Sequence, residues 1–294
     1  MNKTSIEWTN FTVNPFRFRN LKTGKLGHHC TKISGGCKYC FASAMQAGPY
    51  LSGLTYIEEN KAKGDFFLDE AVLEKVLGRR KPARIFWCDM TDMFLDDYPD
   101  EWIDRCFAVM ALTPHLTHQV LTKRAARMLK YFAEDLMGRG ARQRVYNRQY
   151  ALSAIYSNPI SVLWPLPNVH LGVSVEDQPT ADERSAHLRA TPAAVRFISQ
   201  EPQLVEINWT PEMLTGIDQI IIGGESGSGA RPFDLRWARR TIAQCKAAGV
   251  ACFVKQIGSN PLNAIWEMGV GRTADRKGGD PAEWPADLRV REMP

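Results

Sequence analysis

The chain has 294 residues, of which 44% are hydrophobic, and a formal net charge of +5 at pH 7. It contains no apolar run of about 18 residues, as a membrane span would need, and its polar N-terminus lacks the basic and apolar parts of a secretory leader. We therefore expect a globular, cytoplasmic protein that does not associate with membranes. The mild positive charge permits nucleic-acid binding without requiring it.

The first predicted strand covers residues 5–18, where apolar and polar residues alternate up to Pro15. A loop with a distinctive cysteine pattern follows in residues 28–44, HHCTKISGGCKYCFASA, and leads into small and apolar residues that indicate the start of a helix. If the fold alternates strands and helices, this loop lies at the carboxyl end of a strand, which is the end that carries the chemistry in a barrel.

The loop holds Cys30, Cys37 and Cys40 in a C-x6-C-x2-C pattern. The C-x2-C pair lets two sulfurs from one turn reach the same ion or cluster, and two glycines before it allow the loop to fold back so that the first sulfur joins them. Seven cysteines, an odd number with three clustered, favour metal ligation in a reducing compartment over a disulfide framework. The others are predicted core thiols: Cys88, Cys106, Cys245 and Cys252.

Two kinds of metal site are compatible with three cysteines. A structural zinc needs four protein ligands, and His28 or His29 is available in sequence as the fourth. A 4Fe-4S cluster held by three cysteines instead leaves one iron open to bind another molecule.

The step CKYC, with an aromatic residue before the last cysteine, resembles half of the radical S-adenosylmethionine (SAM) motif, although the first two cysteines stand further apart than in that motif. IEWTNFTVNPF, LTKR, LGVSVED and IIIGGESGSGARP are similar to a family of phage and mobile-element proteins named for the three-cysteine motif, from about Ser5 to about Gly258. This resemblance implies a radical SAM-like fold with a 4Fe-4S cluster on Cys30, Cys37 and Cys40. SAM would bind the open iron and be cleaved to a 5′-deoxyadenosyl radical that abstracts hydrogen from the substrate.

Further along the chain, strands and helices are predicted in alternation. This pattern predicts an α/β fold with a parallel sheet and right-handed crossovers, namely a single (β/α) barrel, complete or partial, over residues 1–270. Residues 271–294 are predicted to form a loosely packed extension. The later strands are predicted at residues 85–88, 118–122, 169–175, 195–199, 219–222 and 251–254, and the helices at residues 68–80, 99–112, 125–136, 180–189 and 234–248.

A basic insertion is predicted between the third and fourth strands. Residues 123–148 contain eight Lys or Arg against Glu134 and Asp135, interleaved with aromatic residues, and residues 138–167 are predicted to be irregular. Basic residues with aromatics suit a phosphate backbone and stacked bases. The alternative is a solvated helix face and loop.

Polar residues follow the predicted strands, at what would be one rim. By position, we predict that Asp89, Thr91 and Asp92 hold the amino group of SAM, and that Lys123, Ser174 and Glu176 hold its carboxylate and ribose. We predict that the catalytic residues on the substrate side are Glu201, Glu225 and Lys255. The segment Gly223-Gly224-Glu225 resembles the Gly-Gly-Glu of radical SAM enzymes, although it follows a later strand. Strand-end charges also form salt bridges that only tie loops to the rim, which is the alternative for each of these residues.

The function expected from these observations is that of a radical SAM enzyme acting on a nucleic acid or nucleotide, in modification or repair, with DNA or RNA, an electron-donor protein and a further protein as partners. The alternative is a zinc-stabilised nucleic-acid-binding protein without catalysis. The many carboxylates at the rim argue against this alternative, because acidic groups repel phosphate.

Overall fold

The structure is a computed structural model and describes residues 1–133, 140–156, 163–262, 269 and 273–294. The strands are β1 (Asn2–Lys3), β2 (Phe11–Val13), β3 (Phe16–Asn20), β4 (Leu26–Gly27), β5 (Gly64–Leu68), β6 (Arg84–Trp87), β7 (Thr117–Thr122), β8 (Val169–Ser174), β9 (Val195–Gln200), β10 (Gln219–Gly223), β11 (Phe233–Asp234), β12 (Ala251–Gln256) and β13 (Pro261–Leu262). The helices are α1 (Phe41–Gln46), α2 (Glu58–Lys61), α3 (Glu70–Leu77), α4 (Asp100–Ala111), α5 (Ala125–Phe132), α6 (Ala141–Tyr156), α7 (Gln178–Ala190), α8 (Pro211–Leu214) and α9 (Leu235–Ala248).

The largest sheet has eight strands in the order β1-β2-β6-β7-β8-β9-β10-β12. The pairs β2–β6, β6–β7, β9–β10 and β10–β12 are parallel, and β1 pairs antiparallel with β2 at one edge. The predicted α/β class is confirmed, and a strand lies in each of the seven predicted strand segments. The described strands form an open sheet that begins at β1 and ends at β12, so they do not close a barrel.

The chain divides into two compact units. Unit 1 comprises residues 1–171 and 191–194, and unit 2 comprises residues 172–190 and 195–294. Every helix in the described part of the chain is too short or too polar to span a bilayer.

Unit 1 contains a second, antiparallel sheet in the order β4-β3-β5. The single strand predicted over residues 5–18 is therefore wrong: β2 pairs with β6, and β3 pairs with β5. Pro15 separates the two strands and has no N–H to donate to a ladder. Phe16 and Phe18 are fully buried while Arg17 and Arg19 alternate with them, so the period-two pattern continues across the break although the sheet changes.

A fully buried histidine, His118 on β7, lies in the core of unit 1. Trp87 Nε1 donates to its Nδ1 at 3.0 Å, so Nε2 carries the proton and donates to Thr113 Oγ1 at 2.9 Å. The Thr113 hydroxyl in turn donates to the Val109 carbonyl at 2.8 Å. Burial lowers the pKa of His118 to about 3, so the ring is neutral and serves as a packing residue.

The basic insertion contains a helix where irregular chain was predicted. α6 (Ala141–Tyr156) is polar on most of its surface, so it shows no apolar period, but Val145 and Gln149 are buried. Arg144 and Arg148 form ion pairs with Asp104 and Glu101 of α4, at 3.2 and 3.0 Å. The rest of the irregular prediction at 138–139 and 157–162, and the end of the predicted helix at 134–136, fall outside the described residues.

Unit 2 contains β9, β10 and β12 of the large sheet and is built around apolar strands such as β10, which is buried along its whole length. Gly172 lies so close to the Phe197 ring that a Cβ atom there would stand 2.5 Å from it. The described part of the predicted extension, residues 273–294, lies against β12: the Val254 amide donates to the Val290 carbonyl at 2.8 Å, and Trp284 and Leu288 are buried. Residues 271–272 lie outside the described part.

Candidate functional site

The three clustered cysteines lie on the loop between β4 and α1 of unit 1. All three are half-buried free thiols. Cys37 ends a short 3-10 turn in which its amide donates to the Ser34 carbonyl at 3.0 Å, and Cys40 immediately precedes α1. Cys30 and Cys40 both pack against one small apolar cluster, formed by Ala42, Tyr56 and Met90. Two of the three cysteines of the loop therefore contact the same apolar cluster.

Residues that follow β6 fix this loop. The Thr91 hydroxyl donates to the His29 carbonyl at 2.7 Å, and the Tyr98 hydroxyl lies 2.9 Å from Thr91 Oγ1. The Tyr56 hydroxyl also donates to the Met90 carbonyl. The cysteine loop is thus bound to the carboxyl end of β6, the edge of a parallel sheet at which ligand sites form.

Arg124, the second residue after β7, connects the loop to a buried carboxylate. Its guanidinium donates to Cys30 Sγ at 3.8 Å, to the Thr31 carbonyl at 2.8 Å and to Asp92 Oδ2 at 3.2 Å. Asp92 also accepts from Thr122 Oγ1 at 2.7 Å and from the Lys123 amide at 3.0 Å. Because the side chains of both Arg124 and Asp92 are only 8% exposed, this is a buried, hydrogen-bonded ion pair with a thiol at its edge.

The thiol of Cys30 is strongly affected by this environment. Burial, helped by the charge of the nearby Asp92 carboxylate, raises the pKa of Cys30 to about 12. The Arg124 guanidinium has the opposite effect on this pKa, because its charge favours the thiolate. Without a bound cation the thiol is therefore protonated at neutral pH, and metal binding at this residue would release a proton.

The donor set contains three sulfurs and lacks a clear fourth ligand. His28 Nδ1 lies 2.8 Å from the Phe16 carbonyl, and its Nε2 lies 3.4 Å from an Arg17 nitrogen, so both ring nitrogens are occupied. Neither ring nitrogen of His29 has a hydrogen-bond partner, but this ring is packed among Phe18, Phe66 and Tyr56. Within the described part of the chain, no group of three or more Cys, His, Asp or Glu side chains is gathered closely enough to hold an ion. The residue types fit a three-thiolate site, and the sulfurs would have to draw together to form it.

The predicted cofactor-binding residues of unit 1 lie on the loops that carry this site. Asp89 accepts from Asn14 Nδ2 at 2.6 Å, and its pKa is raised by burial. Thr91 and Asp92 contact the cysteine loop and Arg124 respectively, so they position the loop. Lys123 is half-buried beside Arg124, and its backbone amide donates to Asp92.

In unit 2, Ser174 and Glu176 lie at the end of β8. The fully buried Glu176 carboxylate pairs with Arg184 at 3.0 Å, and Arg184 also donates to the Ser174 carbonyl at 2.7 Å. The Ser174 hydroxyl donates to the Glu201 carbonyl at 3.3 Å. The Glu176 carboxylate has the strand-end ion-pair arrangement that was weighed as the alternative to cofactor binding.

The three predicted catalytic residues, all in unit 2, also form ion pairs. Lys255 Nζ lies 2.6 Å from Glu201 Oε1, with both side chains less than a fifth exposed. Glu225 is held by two donors of the Arg231 guanidinium, at 2.6 and 2.9 Å, and accepts the Arg231 amide at 2.9 Å. The structure therefore brings Glu201 and Lys255 together and gives Glu225 a separate cationic partner.

Sequence reasoning missed Arg124. Arg124 belongs to the motif LTKR, but its neighbour Lys123 is the residue predicted to bind the cofactor. A guanidinium with planar donors suits a carboxylate and a sulfur at once, whereas an ammonium is a point charge. The residue type of Arg124, one position after Lys123, was therefore the feature of the sequence that could have identified it.

A family model described as "Protein of unknown function (DUF5131)" matches residues 3–281. No curated protein and no solved structure matches the chain. Because the match extends over nearly the whole sequence, the chain belongs to this family of proteins of unknown function, DUF5131.

Proposed function

We propose that the chain is a radical SAM enzyme in which Cys30, Cys37 and Cys40 hold a 4Fe-4S cluster. The observation that carries the proposal is the Arg124 guanidinium, which donates to Cys30 Sγ at 3.8 Å while it is paired with the buried Asp92. When bound, the cluster and SAM would supply a 5′-deoxyadenosyl radical, with the electron coming from a donor protein.

Arg124 supports the proposal because hydrogen bonds and charge next to a ligating sulfur tune an iron–sulfur cluster. A fixed cation stabilises the thiolate form of Cys30 and shifts the potential at which a cluster accepts an electron. Asp92 keeps the guanidinium in place, and the Thr31 carbonyl orients it.

The ligand count also favours a cluster. Three thiolates suffice for a 4Fe-4S cluster with an open iron, whereas a structural zinc needs four ligands. The hydrogen bonds of His28 and the aromatic packing of His29 leave each poorly placed as a fourth ligand. The unpartnered ring nitrogens of His29, one residue before Cys30, are the one observation that favours the second candidate, a zinc-stabilised nucleic-acid-binding protein without catalysis.

We propose a nucleic acid or nucleotide as the substrate, although the basic insertion contributes less to such binding than its sequence indicates. Arg127, Arg144 and Arg148 pair with carboxylates of α4, and Arg124 pairs with Asp92. These four cations are therefore neutralised within unit 1. Arg139 lies outside the described residues.

The test is metal and product analysis after anaerobic purification. We expect about four irons per chain with matching sulfide, and 5′-deoxyadenosine after addition of dithionite and SAM. Cys37→Ala should lose both iron and product, whereas Cys106→Ala, which changes a buried thiol in α4, should retain them. One zinc per chain without SAM cleavage would overturn the proposal in favour of the second candidate.

A further inference from the structure

The segment that carries the cysteine loop has an unusual charge distribution. Between Glu7 and Glu58 the sequence contains six Lys or Arg and no Asp or Glu. We call residues 8–57 the acid-free segment. Ordinary protein surfaces mix charges of both signs, so fifty residues with one sign indicate a polyanionic partner.

Much of this charge is exposed next to exposed aromatic rings. Tyr39 is 46% exposed, Phe41 is 58% exposed and Tyr50 is 92% exposed. These rings lie just before, at the start of and just after α1. The same segment has four exposed lysines, and we call these seven exposed residues the lysine–aromatic surface: Lys22, Lys25, Lys32, Lys38, Tyr39, Phe41 and Tyr50.

Two contacts bring the charges beside the rings. Lys25 Nζ donates to the Pro49 carbonyl at 2.8 Å, which holds its ammonium group one residue from Tyr50. Lys38 Nζ lies 5.2 Å from the centre of the Tyr39 ring. Cations and aromatic faces are thus adjacent on the surface, and Cys37 and Cys40 lie within the same stretch of chain.

We propose that the lysine–aromatic surface binds a single-stranded nucleic acid and leads it to the cysteine loop. Lysines bind the phosphates, and each exposed ring offers a flat face on which an unpaired base stacks. This inference rests on the proposed function, because it names the class of substrate and where the strand binds. Binding of the strand itself requires neither the cluster nor SAM.

A single strand fits these features better than a duplex or an acidic protein. The bases of a duplex are already stacked on each other, so exposed rings gain little from them. An acidic protein would match the charge, but it lacks regularly spaced flat faces for the three rings. The contrast with the insertion is also informative, since Arg144 and Arg148 there are paired with carboxylates.

The test compares two pairs of variants of the full-length protein in fluorescence anisotropy, with labelled DNA and RNA strands of about 20 nucleotides. Tyr50→Ser should weaken binding about tenfold, as expected for the loss of one stacked base. Lys32→Ser with Lys38→Ser should reduce the slope of log affinity against log salt concentration by about 1.4, since each lost phosphate contact contributes about 0.7.

The control pair removes the same chemistry from the insertion: Tyr150→Ser, and Lys130→Ser with Arg142→Ser, all at exposed positions. These variants should bind like the wild type. Unchanged binding in the first pair, an equal loss in the control pair, or competition by polyglutamate as strong as that by an unlabelled strand would each overturn the inference. The iron content of the same samples tests the proposed function separately.

Discussion

Replacement of Arg124 by methionine tests the arrangement behind Cys30. Methionine is apolar and long enough to occupy much of the space, so the change removes the charge and its three hydrogen-bond contacts. Breaking one partner out of a buried ion pair typically costs about 3–5 kcal/mol. Asp92 keeps its bonds from Thr122 and Lys123, so we expect the lower end, a loss of about 3 kcal/mol in the free energy of unfolding.

The measurement is a double-mutant cycle by urea unfolding with Arg124→Met, Asp92→Asn and the combined variant. We expect a coupling energy of about 2–3 kcal/mol between the two side chains. The control is Arg127→Met, whose partner Asp100 is 43% exposed and whose ion pair should contribute less than about 1 kcal/mol. A coupling below about 0.5 kcal/mol would refute the view that Arg124 and Asp92 act as a unit.

Three further changes test other parts of the structure. His118→Asn should make the free energy of unfolding less sensitive to acid. Burial lowers the pKa of His118 to about 3, so in the wild type only the unfolded chain takes up a proton at this residue below about pH 6.5, and stability falls by roughly 2 kcal/mol at pH 5. Urea unfolding of the variant at several pH values should lack this fall. Gly172→Ala should destabilise the protein by about 1–3 kcal/mol, because its Cβ would stand 2.5 Å from the Phe197 ring. Adding Phe197→Leu in the same chain should recover part of the lost melting temperature, and no recovery would contradict the steric explanation. Tyr131→Phe removes a 2.8 Å hydrogen bond to the buried Asp104 and should cost about 1.5 kcal/mol in thermal unfolding, whereas a neutral result would show that Asp104 does not need this donor.

The strands of the large sheet were predictable because each is a short apolar run with a polar end. Ile220, Ile221 and Ile222 are fully buried, as expected of a strand covered on both faces. This signal is local, so it survives in the sequence without any knowledge of partners. This local signal does not show whether the sheet closes into a barrel, because closure depends on whether the two edge strands of the sheet pair with each other.

The two elements that the sequence did not predict, α6 and the break between β2 and β3, also have physical explanations. The helix α6 was missed because Arg144 and Arg148 bind carboxylates of another helix, which replaces the apolar stripe that identifies most helices. The break between β2 and β3 was missed because Phe16 and Phe18 continue the alternation of the preceding strand into a different sheet.

In the candidate site, the sequence identified the cysteines and several residues that follow strands, but not the contacts between them. The spacing of the cysteines is a local pattern, so Cys37 and Cys40 could be selected from the sequence alone. The partners of Cys30 come from far along the chain, and no periodicity links Arg124 or Asp92 to it. The ion pair of Glu201 with Lys255 is similar: each strand end could be identified, but the pairing needs the fold.

The bonds that hold the cysteine loop have a consequence for the order of events during synthesis. Thr91 and Arg124 contact the loop from positions 62 and 94 residues further along the chain than their partners His29 and Cys30. A ribosome therefore exposes all three cysteines long before the residues that fix them have emerged. Until the residues up to Arg124 have been synthesised, the loop lacks these bonds, so the contacts that fix the cysteines form late in the folding of unit 1.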